Sequence, residues 1–328
     1  MILRAGETEK KPGPARLALV AVFASRLILE ISRLLRKIRA DVLITNGIKC
    51  HILGAIVPRG RRVPLIWYLR DGLEERVISR KLLSLLSFRC DTVICISRYI
   101  AGELKKEMPA SLSVHVLYNI VDPEKFRPGL PLPSDLHKGE EEIWFGMVGA
   151  VTGLKGQDYF LEAAGEIANA LPSARFLIVG GNFYSTSESS AYQETLNGMA
   201  SKTELRGKVM FLGFRNDIPA IVSNLDVLVQ SNRGPEGLGR SVLEAMASAV
   251  PVISVDRWGP AELVVDGVTG MLFRPGDTPS LAEKMLVLGK NASIRRRFGA
   301  NGRTWVLENL SPEKIVTGFR DIAGRVCR

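Results

Sequence analysis

The 328-residue sequence has few cysteines and few histidines, and neither residue type is clustered. The four cysteines, Cys50, Cys90, Cys95 and Cys327, lack the paired spacing of a zinc site. Cys90 and Cys95 flank a strand-like apolar run, which predicts reduced thiols in a protein core. The three histidines are scattered, and we expect each to be structural or solvent-facing. No Asp-x-Asp pair occurs, so no Mg²⁺ or Mn²⁺ is indicated.

Long hydrophobic runs are also missing, because no stretch reaches the roughly 18 apolar residues that a membrane-spanning helix needs. Residues 17–24 are apolar, but Arg26 and Glu30 interrupt the next two turns, and no convincing signal-peptide cleavage site is present. Basic residues at 33–39 favour an amphipathic helix. Two interpretations of this helix stay open: contact with an anionic membrane surface, and simple coverage of a sheet. We expect a cytoplasmic protein, with peripheral contact at the inner membrane face as the first interpretation would require.

The excess of positive charge is confined to the first part of the chain. Residues 1–138 carry 24 Lys and Arg against 13 Asp and Glu, a net charge of +11, whereas the remainder has a net charge of −1. A basic half favours an anionic neighbour, such as an acidic lipid surface or a phosphorylated acceptor. Because neither aromatic interleaving nor a nucleic-acid-binding motif accompanies this charge, nucleic acid is not expected as a partner.

Short apolar segments alternate with helical patterns along most of the chain. This alternation predicts an α/β protein whose parallel sheets are covered by helices on both faces. A stretch rich in proline and charge, 129–141, is typical of an interdomain linker, so we expect two domains, 1–138 and 139–328. The predicted strands are 41–45, 64–68, 92–96, 114–118, 143–148, 175–179, 209–212, 227–230, 251–255 and 271–273, and the last predicted helix is 312–326.

Two glutamates eight positions apart, Glu236 and Glu244, bracket the most informative segment. The good helix formers of 242–247 predict a helix that carries Glu244 and follows a glycine loop. The start of this helix offers free N–H groups and a positive dipole end, which suit a phosphate or a polar sugar. Along a helix the two acids are too far apart to act as one acid/base pair. They are placed to hold two ends of an extended ligand; a capped surface helix with two solvated acids is the alternative.

The residues around these glutamates resemble the signature of retaining nucleotide-sugar glycosyltransferases of family 4. The resemblance rests on 236–239 (Glu-Gly-Leu-Gly), 244–247 and 251–253, and it continues through 148–156, 176–181, 259–262 and 266–270. It implies the GT-B architecture of two facing Rossmann-like domains with parallel sheets. It also implies transfer of a sugar from a nucleotide-sugar donor to a glycan or lipid-linked acceptor, in cell-envelope or polysaccharide synthesis.

The resemblance implies roles for particular charged residues. Lys155, in a glycine-flanked loop, would neutralise the charge that develops on the leaving diphosphate. Glu236 would lie by the transferred sugar, and Glu244 would accept hydrogen bonds from the ribose hydroxyls. The family commonly has an arginine where Ala150 stands. Lys155 would therefore act alone or with another basic residue such as Arg240. Neither a metal nor another cofactor is expected, and a leaving phosphate oxygen would take the place of a dedicated base.

Weaker expectations concern the remaining residues of the donor and acceptor sides. The expected donor-binding residues are Gly149, Gly213, Arg215, Gly237, Leu238, Gly239, Arg240, Glu244 and Glu262. The glycines of 237–239 would let the backbone approach the sugar closely, and Trp258 stands where the family prefers glycine. Arg70 and Asp71, after a predicted strand, are candidates for acceptor contact, with a surface ion pair as the alternative.

Complete family members begin with a strand and a glycine-rich turn, and no strand pattern precedes the helix of 15–39. The resemblance therefore implies a first domain that lacks its first strands, which would expose strand edges because the first strand is normally central. Two other functions stay open. One is an inactive or donor-binding-only remnant of such an enzyme. The other is a GT-B sugar-nucleotide epimerase, which should bring several acids and histidines into its cleft.

Overall fold

The structure is a computed structural model that describes residues 14–59, 63–72, 77–181 and 187–327. Contacts within the chain divide it into two compact units. The first unit comprises the described residues up to Tyr118 together with those from Val316 onward, and the second is Asn119–Ile315. The sequence predicts an irregular segment at 1–14; residues 1–13 lie outside the described residues, and Pro14 begins a helix.

The first unit contains a four-stranded parallel sheet in the order β1-β2-β3-β4. The strands are β1 (Leu43–Asn46), β2 (Leu65–Leu69), β3 (Thr92–Cys95) and β4 (Val114–Val116). The helices are α1 (Pro14–Lys37), α2 (Ile48–Ile56), α3 (Val77–Leu86), a 3₁₀ turn at Ser87–Arg89, and α4 (Arg98–Lys105). The inner strands β2 and β3 are almost continuously apolar and buried, as expected for parallel strands covered on both faces.

The second unit contains a six-stranded parallel sheet in the order β10-β9-β8-β5-β6-β7. Its strands are β5 (Ile143–Val148), β6 (Ala174–Val179), β7 (Val209–Gly213), β8 (Val227–Gln230), β9 (Val252–Val255) and β10 (Gly270–Phe273). Its helices are α5 (Gln157–Ile167), α6 (Ser187–Ala200), α7 (Ile218–Ser223), α8 (Arg240–Ala247), α9 (Trp258–Ala261), α10 (Thr278–Lys290) and α11 (Ala292–Asn309); α12 (Pro312–Val326) comes next and continues into the first unit.

The strand order of the second sheet reverses at β5, which pairs with β6 on one side and with β8 on the other. In open parallel sheets a ligand binds outside the carboxyl ends of the strands at such a reversal. The loops that follow β5 and β8 are therefore the place where a site is expected. Below them, the rings of Phe145, Phe160 and Phe176 pack with centroids 5.9 to 6.0 Å apart in the core.

The strands of both parallel sheets alternate with helices along the chain, which confirms the predicted α/β class. The structure places every predicted strand within two residues of its predicted bounds at each end and the last helix at its predicted bounds. The short helix α9 was not predicted, because its sequence Trp-Gly-Pro-Ala carries no helical periodicity.

Candidate functional site

The loops after β5 and β8 are locked together at Gly156 and Ser231. The Ser231 hydroxyl donates to the Gly156 carbonyl at 2.8 Å. A Cβ atom on Gly156 would lie 2.0 Å from the Ser231 carbonyl oxygen, and Gly156 has a φ of +77°. Both the space and the backbone conformation therefore require glycine at this position. Gly156 also caps α5, so the start of that helix lies at the same junction.

Lys155, immediately before Gly156, forms an ion pair with Glu236. The Lys155 ammonium contacts Glu236 Oε2, and the two side chains are 29% and 21% exposed. Their loops meet because the Leu154 carbonyl accepts hydrogen bonds from the N–H groups of Arg233 and Gly234, at 3.0 and 3.2 Å. Two residues that are 81 positions apart, and that the resemblance gave adjacent roles, are thus in direct contact.

The glycine loop 237–239 is supported from behind by Gly259. The Gly259 N–H donates to the Glu236 carbonyl at 3.0 Å, and a Cβ on Gly259 would lie 2.1 Å from the Gly237 carbonyl oxygen. Leu238 is buried, and Gly239 caps α8 in the left-handed conformation. The first turn of α8 leaves backbone N–H groups without a helical acceptor, as every helix start does. The predicted glycine loop and helix start therefore lie beside the Lys155–Glu236 pair.

Glu244 lies on α8, one turn beyond Arg240. Its side chain is 13% exposed and pairs at 3.2 Å with Arg240, whose side chain is 71% exposed. Burial raises the pKa of Glu244, and the charges of Arg240 and Lys125 oppose that rise. The carboxylate is thus a largely desolvated acceptor held by one exposed cation. Arg240, engaged by Glu244, forms no ion pair with Glu236 among the described residues.

Arg215 is held by two carboxylates of its own. It donates to Asp135 at distances of 2.5 and 2.9 Å and to Asp217 at 2.6 and 2.9 Å. These hydrogen bonds raise the pKa of Arg215 and lower the pKa of each aspartate. Gly213, at the end of β7 with a φ of +61°, is in the left-handed region, as a turn glycine would be. Roles for Gly213 and Arg215 in a base pocket stay predictions.

The segment from Trp258 to Glu262 carries backbone strain next to the glycine loop. Trp258 has a φ of +60°, a region that favours glycine and is costly for a bulky side chain. This conformation agrees with the glycine that the family prefers there. The Trp258 indole N–H is buried without a hydrogen-bond partner among the described residues. Glu262 follows α9, and its N–H donates to the Gly259 carbonyl at 3.1 Å.

Gly149, Arg70 and Asp71 follow strands as the sequence predicts. Gly149 comes directly after β5 and donates its N–H to the Val179 carbonyl at 2.9 Å. Arg70 and Asp71 are exposed directly after β2. Within the described part of the chain they form no ion pair with each other, and the structure tests neither acceptor contact nor a surface ion pair with another residue. Both stay candidates for acceptor contact.

Sequence reasoning missed Arg233, a second cation of this region. Its guanidinium forms an ion pair with Asp158 and lies 4.1 Å from the ring centroid of Tyr159. The Tyr192 hydroxyl donates to the same Asp158 at 2.9 Å. Arg233 thereby ties the loop after β8 to the first turn of α5. The available signal was its position three residues before Glu236. Three buried polar residues were also missed: Gln230, Asn232 and Ser241.

The four cysteines and two of the three histidines, His51 and His115, belong to the first unit. Cys90 and Cys95 are free and buried, as predicted, and burial raises the pKa of each thiol to about 12. His51 is buried against Thr45, with 2.7 Å between Oγ1 and Nδ1, and burial lowers its pKa to about 4. Among the described residues no group of three His, Cys, Asp or Glu side chains could hold a metal ion, and no helix is long and apolar enough to cross a membrane.

Comparison with known protein families shows which family the chain belongs to. Residues 132–305 match the model described as glycosyl transferases group 1, and residues 6–125 match the model described as glycosyltransferase family 4. The chain belongs to the glycosyl transferases group 1. Its fold is accordingly the one the resemblance implied, with two Rossmann-like domains that carry parallel sheets, as in GT-B enzymes.

Relatives of this glycosyltransferase include proteins that are themselves named as glycosyltransferases. It is 28% identical over 311 residues to UDP-Gal:α-D-GlcNAc-diphosphoundecaprenol α-1,3-galactosyltransferase of Escherichia coli, an alignment that covers 90% of the chain and 78% of the relative. It is 31% identical over 207 residues to EpsD of Bacillus subtilis, assigned as a glycosyltransferase. That alignment covers 62% of the chain and 52% of EpsD, about half of that relative's length.

The fold is similar to that of HepE from Anabaena, whose structure was solved in complex with UDP and glucose. The TM-score is 0.81 at 23% sequence identity, and the match covers 94% of this chain and 83% of HepE.

Proposed function

We propose that the protein is a retaining, metal-independent glycosyltransferase that moves a sugar from a nucleotide-sugar donor to a glycan or lipid-linked acceptor, in cell-envelope or polysaccharide synthesis. The observation that carries this proposal is the convergence of Lys155, Glu236 and the start of α8 where the second sheet reverses its strand order. HepE was solved with UDP and glucose, and the Escherichia coli relative is named for a UDP-sugar and a diphosphoundecaprenol acceptor. Both support a nucleotide-sugar donor for this chain.

In the proposed reaction the bond between the anomeric carbon and the donor phosphate oxygen breaks, and a bond from the same carbon to the acceptor oxygen forms. The negative charge that develops on the leaving diphosphate is stabilised by the Lys155 ammonium and by N–H groups of the first turn of α8. A leaving phosphate oxygen takes the proton of the acceptor hydroxyl. Because attack comes from the face that the leaving group vacates, the anomeric configuration is retained.

The two glutamates hold the two ends of the donor in this proposal. Glu236 accepts hydrogen bonds from hydroxyls of the transferred sugar, beside the glycine loop 237–239. Glu244 accepts from the two ribose hydroxyls, since one carboxylate can accept from adjacent donors. The Arg240–Glu244 pair is exposed on its cationic side, so Arg240 is free to move while Glu244 keeps its place on α8.

The second candidate function is that of a protein that binds the donor but has lost catalysis. Ala150 favours this candidate, because it stands where the family commonly carries a second cation. Here the Ala150 carbonyl accepts a hydrogen bond from Gln157 at 2.8 Å, and Arg233 is engaged by Asp158. Lys155 is then the single ammonium or guanidinium in contact with Glu236 in the described part of the chain. Family membership, in turn, disfavours the epimerase alternative.

A panel of UDP-, GDP- and ADP-sugars tests the proposal by thermal shift and by donor hydrolysis, with and without mixed acceptors. We expect one nucleotide-sugar to raise Tm, since a ligand of the folded state stabilises it. We expect Lys155→Met to lower turnover roughly 10²–10³-fold, as loss of one preorganised donor does. Lys290→Met, at the end of α10, is the matched control. If the wild type binds a nucleotide-sugar without turning it over, the result favours a donor-binding protein that has lost catalysis. If it binds no nucleotide-sugar, both the enzyme and the donor-binding protein are refuted.

We also infer peripheral contact of the first unit with an anionic membrane surface. Phe23, Leu27 and Leu34 are 62%, 45% and 53% exposed at helical spacing on α1. The basic residues Arg26 and Arg33 lie along one side of this stripe, and Arg26 is ion-paired at 3.0 Å with Glu30, the acid within the stripe. An apolar stripe beside cations has the chemistry of an interfacial helix on acidic lipids. A lipid-linked acceptor would be reached from such a position.

A further inference from the structure

A row of three buried polar side chains lies behind the Glu236 carboxylate. Gln230 ends β8, Asn232 comes two residues later, and Ser241 lies in the first turn of α8. Their exposed fractions are 3%, 2% and 9%. The Ser241 hydroxyl donates to Gln230 Oε1 at 2.8 Å, and Gln230 Nε2 donates to Asn232 Oδ1. Asn232 Nδ2 then donates to Glu236 Oε2 at 3.3 Å. The row is a continuous chain of hydrogen bonds that ends on the carboxylate.

The direction of this chain is fixed at its carboxylate end. An ionised carboxylate only accepts hydrogen bonds, so Asn232 must turn its amide nitrogen towards Glu236. Its oxygen then faces Gln230, which must present its own nitrogen there and its oxygen to Ser241. All three hydrogen bonds have their donors on the Ser241 side and their acceptors on the Glu236 side. A flipped amide would place two oxygen atoms in contact in the protein interior. Each side chain of the row therefore locks the orientation of the next.

Both protein donors reach the same oxygen of Glu236. Lys155 and Asn232 contact Oε2, and no donor from the described residues contacts Oε1. The carboxylate is thus anchored at one oxygen and available to a ligand at the other. In the proposed reaction the Lys155 ammonium turns to the diphosphate of the donor. Asn232 is then the protein donor that stays hydrogen-bonded to Glu236 Oε2 after Lys155 has turned away.

We propose that Asn232, held by Gln230 and Ser241, is a positioning residue that sets the rotation of the Glu236 carboxylate, so that Oε1 receives hydroxyls of the transferred sugar. This proposal rests on the proposed function. It assigns Asn232 to recognition of the sugar and leaves the nucleotide to Glu244 and α8. A purely structural amide would support the loop and would not distinguish a nucleotide from its sugar derivative.

The test measures Kd by calorimetry for UDP, UDP-glucose and UDP-galactose, and takes the ratio of each UDP-sugar Kd to the UDP Kd. In Asn232→Leu, of similar volume and without a donor, we expect this ratio to rise roughly 10-fold or more, as for a lost hydrogen bond to a charged group. The UDP Kd should stay within about twofold. Ser241→Ala, at the far end of the row, should raise the ratio less, and it covers the case in which Asn232→Leu does not fold.

Asn232→Asp supplies a pH signature that a structural role would not give. Two carboxylates then face each other, so the ratio should be raised at neutral pH. It should return towards the wild-type value on acidification, because one of the pair binds a proton and becomes a donor. Lys155 is the charged group in contact with Glu236. The neighbouring Arg233 and Arg240 are paired with Asp158 and Glu244.

Asn224→Asp is the matched control, because Asn224 donates its amide to the Leu130 and Ala220 carbonyls at the opposite end of β8. It should leave the ratio unchanged at every pH. Wild-type UDP-sugar binding together with an unchanged ratio in Asn232→Leu or Asn232→Asp overturns the positioning role and leaves the proposed function standing. If the wild type binds neither UDP nor either UDP-sugar, and no other nucleotide-sugar of the panel, both proposals fall together.

Discussion

Glu244 combines a buried carboxylate with a proposed contact to ribose, and these two properties act on stability in opposite directions. Burial raises the pKa of Glu244 in the folded protein. The folded state then binds the proton more tightly than the unfolded state. The contribution to stability is therefore highest at acid pH and falls as pH rises from the unfolded pKa through the folded one. At neutral pH the ionised side chain lowers the free energy of unfolding.

Glu244→Gln should raise Tm of the ligand-free protein at neutral pH, because the neutral amide avoids the desolvation of a charge. The difference from wild type should shrink towards about pH 4, where the wild-type carboxyl is protonated. Nucleotide affinity should fall roughly 10- to 100-fold through loss of charged acceptor oxygens. Calorimetric Tm across this pH range and UDP titration check both effects. Glu308→Gln, an exposed acid of α11, is the control; a lower Tm in Glu244→Gln at neutral pH contradicts the argument.

Single residues of the site differed in how far the sequence could predict them. Glu236 and Glu244 were singled out because a local pattern of glycines and helix formers surrounds them. The pairing of Lys155 with Glu236 was beyond a local pattern, since two loops 81 positions apart create it. The same holds for Arg215 and Asp135, 80 positions apart. Asn232 was missed because a buried amide and a solvated one look alike in a sequence.

At the scale of elements, the junction between the β5 and β8 loops depends on one glycine. Gly156→Ala should lower the free energy of unfolding by roughly 2–4 kcal/mol, from a left-handed backbone and a Cβ 2.0 Å from a carbonyl oxygen. Gly153→Ala, in the same loop with nothing within 4 Å of its Cβ, should be close to neutral. Urea unfolding of both variants checks this. Equal losses in the two would show that the junction does not require glycine.

Elements were predicted well where local chemistry determines them. Apolar runs bounded by turns located the strands of both parallel sheets, because strands buried on both faces are apolar throughout. The order β10-β9-β8-β5-β6-β7 was not predictable in this way, since strand pairing joins residues far apart in sequence. It is this order that indicates the candidate site, at the reversal beside β5. Trp258, strained at the start of α9, broke the local pattern next to the glycine loop.

At the scale of the whole molecule, surface chemistry differs between the units. Among the side chains that the structure describes, most of the large exposed apolar ones lie in the first unit, within the part of the sequence that carries the net positive charge. The double variant Phe23→Ser, Leu27→Ser should bind vesicles containing phosphatidylglycerol roughly 5- to 150-fold less tightly than wild type, which corresponds to about 1–3 kcal/mol of lost apolar burial.

The vesicle experiment has a control in the second unit. Phe214→Ser, Leu307→Ser removes two exposed apolar side chains there and should bind like wild type. Binding of the wild type should weaken in high salt and on zwitterionic vesicles, because the lipid charge is then screened or missing. Flotation on a density gradient measures each case. Salt-independent binding, or equal loss in both double variants, contradicts membrane contact through α1.

In the Lys155–Glu236 ion pair, the Glu236 carboxylate competes with any incoming anion for the Lys155 ammonium. An anion that enters must displace a carboxylate already in place, and it leaves that carboxylate behind without its cation. A lone inorganic phosphate offers nothing in exchange. A ligand that carries both a diphosphate and hydroxyl groups gives the lysine a new anion and the glutamate new donors. In the proposed function, the pair would therefore disfavour the abundant small anions of a cell and favour molecules that satisfy both partners at once.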